Sequence, residues 1–304
     1  MKPNIVITAG SYYLDIDAYS SCIAYRELLR SLGTNAFAVS TAQPNESIPQ
    51  LIKALPFSFD NYTPKPEDNF IVLDLSDPEF IDTFVNHENI VELIDHHTGF
   101  EKYWKRRLGP KARIEKIGSV ATIIYEKFAE SKRTDLLSSD LCKLLLAAII
   151  DNTLNMKSTV TTDRDRLAYE KLIHLGELDL NWGQIYLEHC ENAILSDLEN
   201  AIRRDTKTLH LGNLPEQVGQ VTILNHEKVL EQQKLIHRIF KESPDWVLNL
   251  ISLKDGKSYL ITNSDVSKDK LTKLFSGKFK DNVLILDSFL LRKEILAKAD
   301  SLAQ

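Results

Sequence analysis

Three side chains able to bind a metal stand together in Asp95-His96-His97, directly behind the apolar run from Ile90 to Ile94. That run, interrupted only by Glu92, reads as a short buried strand, and Thr98-Gly99 then turns the chain. A carboxylate and two imidazoles are thus delivered at a strand's carboxyl end, where open α/β sheets place their ligands. Two other strand-like runs end the same way. Phe70–Leu73 leads straight into Asp74, and Asn4–Ala9 leads through a polar loop to Asp15 and Asp17, spaced D-x-D. A further acid, Asp151, closes the apolar, helix-like stretch from Ser139. An aspartate behind an apolar strand is costly to bury unpaired. Carboxylates converging on one sheet edge also raise each other's pKa unless a cation lies between them. A divalent ion, or two, accounts for the set. Hard oxygen ligands with one or two imidazoles suit manganese, cobalt or magnesium better than a sulfur-seeking ion. Taken singly, each acid reads equally well as a turn or cap residue: Asp17 for a helix starting near Ser20, Asp163 for a later one. Their order at successive strand ends selects the metal reading.

The elements that must position these groups follow from periodicity. After the first strand, apolar residues at helical spacing run from Ser20 to Leu32 and stop at Gly33, and Thr34–Val39 is a second strand. This βαβ unit implies a parallel sheet with a right-handed crossover. Residues 43–68 read mainly as a connection with a short helix near Ile48–Leu55, and Glu79–Asn86 as a second short helix. A strand is expected at Arg113–Ile117 and a helix from Gly118-Ser119 to Glu130. Thr161-Thr162-Asp163 then caps a helix over Arg164–Leu175. From Trp182 to about Ile202 the pattern is helical and more polar. Beyond it come alternating strands (Thr206–Leu211, Val218–Leu224), a charged helix (Glu227–Lys241), and a hairpin of Trp246–Leu253 with Ser258–Thr262 across Asp255-Gly256. A helix at Lys268–Phe275 and a strand at Asn282–Leu286 complete it. The expected fold class is α/β: an N-terminal parallel-sheet domain over residues 1–187 with helices on both faces, a linker at 188–200, and a smaller α+β domain over 201–304.

The bulk properties narrow the function. The 304 residues carry a net charge of -6, so no global basic field recruits nucleic acid, and no stable nucleic-acid partner is expected. Cys22, Cys142 and Cys190 are odd in number and far apart, which argues against a disulfide framework or a cysteine zinc site and suits a reducing cytoplasm. The N-terminus carries no signal-peptide pattern, and the longest clean apolar run, Leu144–Ile150, is too short to span a bilayer. A cytoplasmic protein without a membrane partner is the expectation.

The sequence D-I-D, V-L-D, D-H-H and I-I-D, in that order, resembles the DHH phosphoesterase family. Gly118-Ser119-x-Ala121-Thr122 is similar to the family's G-S-x-A-T helix start. The run Asp151-x-Thr153-x-x-x-Lys157-Ser158-x-x-Thr161-Thr162-x-x-Asp165 is similar to one found in its manganese-type inorganic pyrophosphatase and exopolyphosphatase branch. Asp205-Thr206-Lys207-Thr208 and Leu290-Leu291-Arg292-Lys293 resemble segments of that branch's second domain, so the likeness covers nearly the whole chain. It implies an enzyme with its active site in a cleft between two domains. It implies two divalent ions, manganese first, with magnesium or cobalt as alternatives. Asp74 would bridge them, Asp15 would ligate one, and Asp17, His96 and Asp151 the other. Asp95 would orient the histidine pair, His97 would face the phosphates as donor or general acid, and Lys207, Arg292 and Lys293 would hold the phosphate chain. The sequence departs from the pyrophosphatase pattern at Ser11, which stands where that pattern has a histidine four residues before the first aspartate. Ser11 is therefore grouped with the phosphate-facing residues, and Tyr12 and Tyr13 are expected to line the mouth of the site.

The activity implied is two-metal hydrolysis of phosphoanhydride bonds, in short polyphosphate or pyrophosphate, by a monomer or homodimer acting on a small phosphorylated substrate. The alternatives are a phosphodiesterase for short or cyclic nucleotides and a catalytically impaired regulatory protein that binds phosphate or nucleotide. The former usually carries a glycine-rich nucleic-acid-binding segment, which this chain lacks; Ser11 motivates the latter.

Overall fold

The computed structural model describes residues 3–11 and 14–302, so Tyr12 and Tyr13 lie outside the described residues. The chain forms two compact units, Met1–Tyr186 and Leu187–Gln304. The first contains β1 (Ile5–Thr8), α1 (Ile16–Ser31), β2 (Ala36–Ala38), α2 (Gln50–Lys53), β3 (Asn69–Leu73), β4 (Ile90–Asp95), α3 (Glu101–Leu108), β5 (Ala112–Ile114), α4 (Val120–Glu130), α5 (Ser139–Asn152) and α6 (Asp163–Leu175). The division between the units falls within α7 (Trp182–Ser196).

The five strands pair in the order β2-β1-β3-β4-β5, all parallel. The chain leaves β1 to build β2 on one side and returns to build β3 on the other. The carboxyl ends of β1 and β3 therefore flank a reversal of strand order, where doubly wound sheets open a crevice. Alternate strand residues face opposite ways. Val6, Phe70, Val72 and Leu93 pack with Trp104 of α3. Ile7, Ile71 and Ile94, one position along, are also buried, and α1 packs on β1, β2 and β3. Behind α1, α5 is buried without a break from Leu144 to Ile150. A helix apolar all round belongs in such an interior layer, which explains why its sequence shows so little amphipathic contrast.

The second unit holds α8 (Leu198–Arg204), β6 (Thr206–Thr208), β7 (Gln217–Ile223), α9 (Glu227–Leu230), α10 (Gln233–Ile239), β8 (Trp246–Ser252), β9 (Lys257–Ile261), α11 (Asp265–Phe275), β10 (Val283–Leu286) and α12 (Arg292–Leu302). Its sheet runs β10-β9-β8-β7-β6, with β7 and β8 parallel and the other pairs antiparallel. Leu248 and Leu250 pack with residues of α8 and α10 on one face, while Val247 packs with α11 and α12 on the other. The β8–β9 hairpin forms across Asp255-Gly256 as its sequence predicts, with Gly256 at φ 76°.

Local expectations change in several places: the strand expected at Arg113–Ile117 is β5, Ala112–Ile114, and the helical stretch from Trp182 breaks at Asp197 into α7 and α8. The first helix begins at Ile16, not Ser20, because the Asp15 carboxylate caps it by accepting from the Ala18 amide at 3.0 Å; Asp17 thus lies in the helix rather than ahead of it. The cap of α6 is Thr162, joined to Asp165 in a capping box, and Asp163 is its first residue. Glu79–Asn86 is not a helix. It contains a single 3-10 turn at Pro78–Phe80, after which Ile81 is extended and bridges to Gly10. The charged segment from Glu227 breaks into α9 and α10 at Glu231-Gln232.

Candidate metal centre

Asp74, His96 and His97 offer ligand atoms that all lie within 4.8 Å of one another. Strand pairing brings them there: Leu73 pairs with Ile94, and the Asp74 amide continues the ladder by donating to the Ile94 carbonyl at 2.9 Å. Asp74 has φ 58°, the left-handed region that only short polar side chains and glycine visit readily. This turn sends its carboxylate toward the end of the neighbouring strand.

Each histidine has one ring nitrogen committed. His96 Nδ1 lies 3.2 Å from the Ile117 carbonyl oxygen and therefore carries the proton. Nε2 then presents its lone pair 3.3 Å from Asp74 Oδ1. Metal-ligating histidines are held this way, with the far N–H tied to a carbonyl or carboxylate. His97 Nδ1 donates to Asp95 Oδ1 at 2.8 Å. Its side chain is 48% exposed, so its other face meets solvent. Asp95 is fully buried, and its Oδ1 also accepts the His96 and His97 amides at 2.7 and 3.1 Å. Burial by itself would raise this carboxyl, but His97 first, with His96 and the Ser76 hydroxyl, outweighs it and holds Asp95 at about 2.

Asp15 caps α1 and Asp17 lies in its first turn. Asp17 is fully buried. Its Oδ1 accepts Ser119 Oγ and the Ala121 amide at 2.9 Å each, and Oδ2 accepts the Val120 amide at 2.9 Å. It thus anchors the first turn of α4, where the amides point at an anion. Burial, then the Asp15 carboxylate, push the Asp17 carboxyl up to about 7 against those donors. The same excess of negative charge reaches Cys22, whose thiol is raised by burial first and then by Asp74, Asp15 and Asp17. Asp151 lies in the last turn of α5, 3.4 Å from the Tyr186 hydroxyl, which also lies 2.9 Å from the Ser47 carbonyl oxygen. Among the described residues, the tight three-residue group does not include Asp15, Asp17 or Asp151. Hard carboxylate oxygens and an imidazole held with its lone pair turned toward an aspartate fit a divalent cation.

Residues 4–149 match the DHH family, N-terminal domain. This stretch belongs to the DHH family. The DHH domain accounts for the first sheet and the strand ends just described. Over 297 residues, 92% of each chain, the protein is 27% identical to a Lactobacillus helveticus protein named "Probable manganese-dependent inorganic pyrophosphatase". It is 26% identical over 309 residues, 95% of each chain, to a Streptococcus thermophilus protein of the same name. A candidate family II inorganic pyrophosphatase from Methanococcus jannaschii shares the fold with a TM-score of 0.69 at 20% identity, covering 98% of both chains.

Beyond the DHH domain, Lys207 lies in β6, and Arg292 and Lys293 open α12. Arg292 is buried. Its Nη2 bonds the Asp205 carboxylate, and its Nη1 donates to the Asp205 and Val218 carbonyls at 2.6 and 3.3 Å. Within the DHH domain, Ser11 is exposed, and its amide and hydroxyl donate to the Phe80 carbonyl at 3.0 and 3.3 Å. Sequence reading did not foresee the Ile117 carbonyl that orients His96. A main-chain oxygen leaves no signature in residue type.

The raised Asp17 carboxyl has a measurable consequence. With its carboxyl raised by burial and then by Asp15, Asp17 is expected, once divalent ions are stripped, to hold a proton in the folded chain over part of the range between 3.8 and about 7, where the unfolded chain has released it. Stability from this group is present at low pH and is lost as pH rises through that window. In EDTA, the wild-type thermal midpoint should fall more steeply with pH across it than that of Asp17→Asn. Parallel slopes would show that Asp17 is not the proton carrier.

Proposed function

We propose that the protein is a metal-dependent hydrolase of phosphoanhydride bonds, acting on pyrophosphate or short-chain polyphosphate. The observation that carries this reading is the pairing of His96 Nε2 with the Asp74 carboxylate at 3.3 Å, with the other histidine nitrogen tied to a main-chain carbonyl. Likeness along nearly the full length to proteins named manganese-dependent pyrophosphatases supports the choice of bond and metal.

Asp74, Asp15, Asp17, His96 and Asp151 would hold two divalent ions, with Asp74 between them. Ions at such a site supply a nucleophilic water at neutral pH and neutralise phosphoryl charge. The protein's own part is then positioning and proton supply. With Nδ1–H held by Asp95, His97 in its imidazolium form would turn its outward Nε2–H to a phosphoryl oxygen as donor and general acid. Lys207, Arg292 and Lys293 would bind the remaining phosphate charge, the lysines as point charges and the guanidinium through directed N–H groups. Ser11, a hydroxyl where related pyrophosphatases have an imidazole, favours water completing that corner of the site and a substrate longer than pyrophosphate.

The test is phosphate release from pyrophosphate, triphosphate, long polyphosphate and dinucleotides, each with manganese, magnesium and cobalt. Release from one of the first three is expected. No release from any of them, with cleavage of dinucleotides, would overturn the proposal in favour of a phosphodiesterase. Lys207→Ala should raise KM about tenfold or more, the scale of one charge-assisted hydrogen bond, while bound metal per chain stays at the wild-type level. Loss of metal in that variant would mean that Lys207 serves the ions and not the substrate.

A further inference from the structure

We propose that Asp165 is a positioning residue for the metal centre, acting through the segment Ile117–Thr122 that holds both His96 and Asp17. The inference rests on the function proposed above. Asp165 is fully buried at the start of α6. A capping box needs only its contacts to Thr162, whose amide and hydroxyl it accepts at 2.8 and 2.7 Å. It takes two more donors from far along the chain: the Gly118 amide at 2.9 Å and Thr122 Oγ1 at 2.7 Å. The carboxylate therefore grips both ends of the Gly118–Thr122 turn.

That turn and the residue before it carry the groups that orient two candidate ligands from different strand ends. The Ile117 carbonyl takes His96 Nδ1. Ser119, Val120 and Ala121 donate to Asp17. The segment has no slack. A Cβ on Gly118 would come within 2.6 Å of Thr153 Cγ2 and 2.8 Å of Asp165 Oδ2, so the main chain packs closely against both Asp165 and the residue capping α5, two positions after Asp151. Releasing one wall lets His96 and Asp17 move together. A carboxylate that only stabilised α6 would not touch metal affinity.

The experiment measures manganese binding by calorimetry and the electron paramagnetic resonance spectrum of bound manganese, on the full chain. Asp165→Asn keeps the side-chain shape but loses the charge and can offer only one carbonyl oxygen to its four donors. It should weaken manganese binding by about 10- to 100-fold, the range for an outer-shell partner of a metal ligand, and alter the spectrum, with the circular dichroism of wild type. Tyr25→Phe removes a different hydrogen bond, to Glu92; its affinity should stay within about twofold of wild type, as expected for a site with no shared partner. Should Asp165→Asn fail to fold, the near-isosteric Thr122→Val removes one donor and is expected to weaken binding about threefold or more. Wild-type affinity and spectrum in the folded variant, or equal weakening in Tyr25→Phe, would overturn the proposal. A wild-type protein that binds manganese but releases no phosphate would overturn the hydrolase reading alone, since the effect of Asp165 on binding is still measured. A wild-type protein that binds none of manganese, magnesium and cobalt by calorimetry would overturn both.

Discussion

Asp74→Ala is expected to reduce phosphate release to less than a few per cent of wild type, at about the level of no enzyme, and to lower the metal bound per chain. The reason is position and charge together. Asp74 ends β3, and a left-handed turn aims its carboxylate at His96 on β4. No neighbouring side chain can replace it, because the strand register fixes what stands beside it. Alanine also tolerates this backbone less well than aspartate, so Asp74→Asn is the companion variant: it suits the same backbone and removes only the charge. Both should fail in the same way. Metal analysis after dialysis, read beside phosphate release, checks the prediction. Survival of activity above a few per cent in either variant would remove Asp74 from its bridging role.

His97→Ala is expected to lower kcat by about 10²- to 10⁴-fold, the usual worth of a positioned general acid, while retaining bound metal. His96→Ala should lose both metal and activity. The two imidazoles are adjacent in sequence and 4.5 Å apart between ring centres, but their surroundings differ. His96 is buried against Asp74 and Ile117, whereas His97 hangs on Asp95 and faces solvent. Steady-state kinetics with metal analysis separates the pair. If His97→Ala lost metal while His96→Ala kept it, the assignment of the two rings would be reversed.

Continuous apolar runs and clean strand ends made the first sheet legible. Asn4–Ala9, Phe70–Leu73 and Ile90–Ile94 are apolar, short and stopped by polar residues, and each is a strand of the parallel sheet. The Glu101–Leu108 helix was not legible, because it is short and mostly charged and its apolar face is only Trp104 and Leu108, preceded by Phe100. The start of α1 was misplaced for a related reason. Asp15 gives the same local signal as loop residue and as cap, and only the Ala18 amide on its carboxylate decides between them.

Residue type and order by themselves pointed to carboxylates and imidazoles at the ends of parallel strands, since side-chain period and the direction of strands follow from local pattern; Asp74, His96 and His97 come together there. The tertiary structure alone decided what each group is tied to: His96 to the Ile117 carbonyl, His97 to Asp95, and Asp17 and Asp165 to the two sides of one turn. Those bonds join residues up to 104 positions apart, several of them through main-chain atoms that every residue carries. No local pattern encodes such partners; packing of the helices on the sheet selects them.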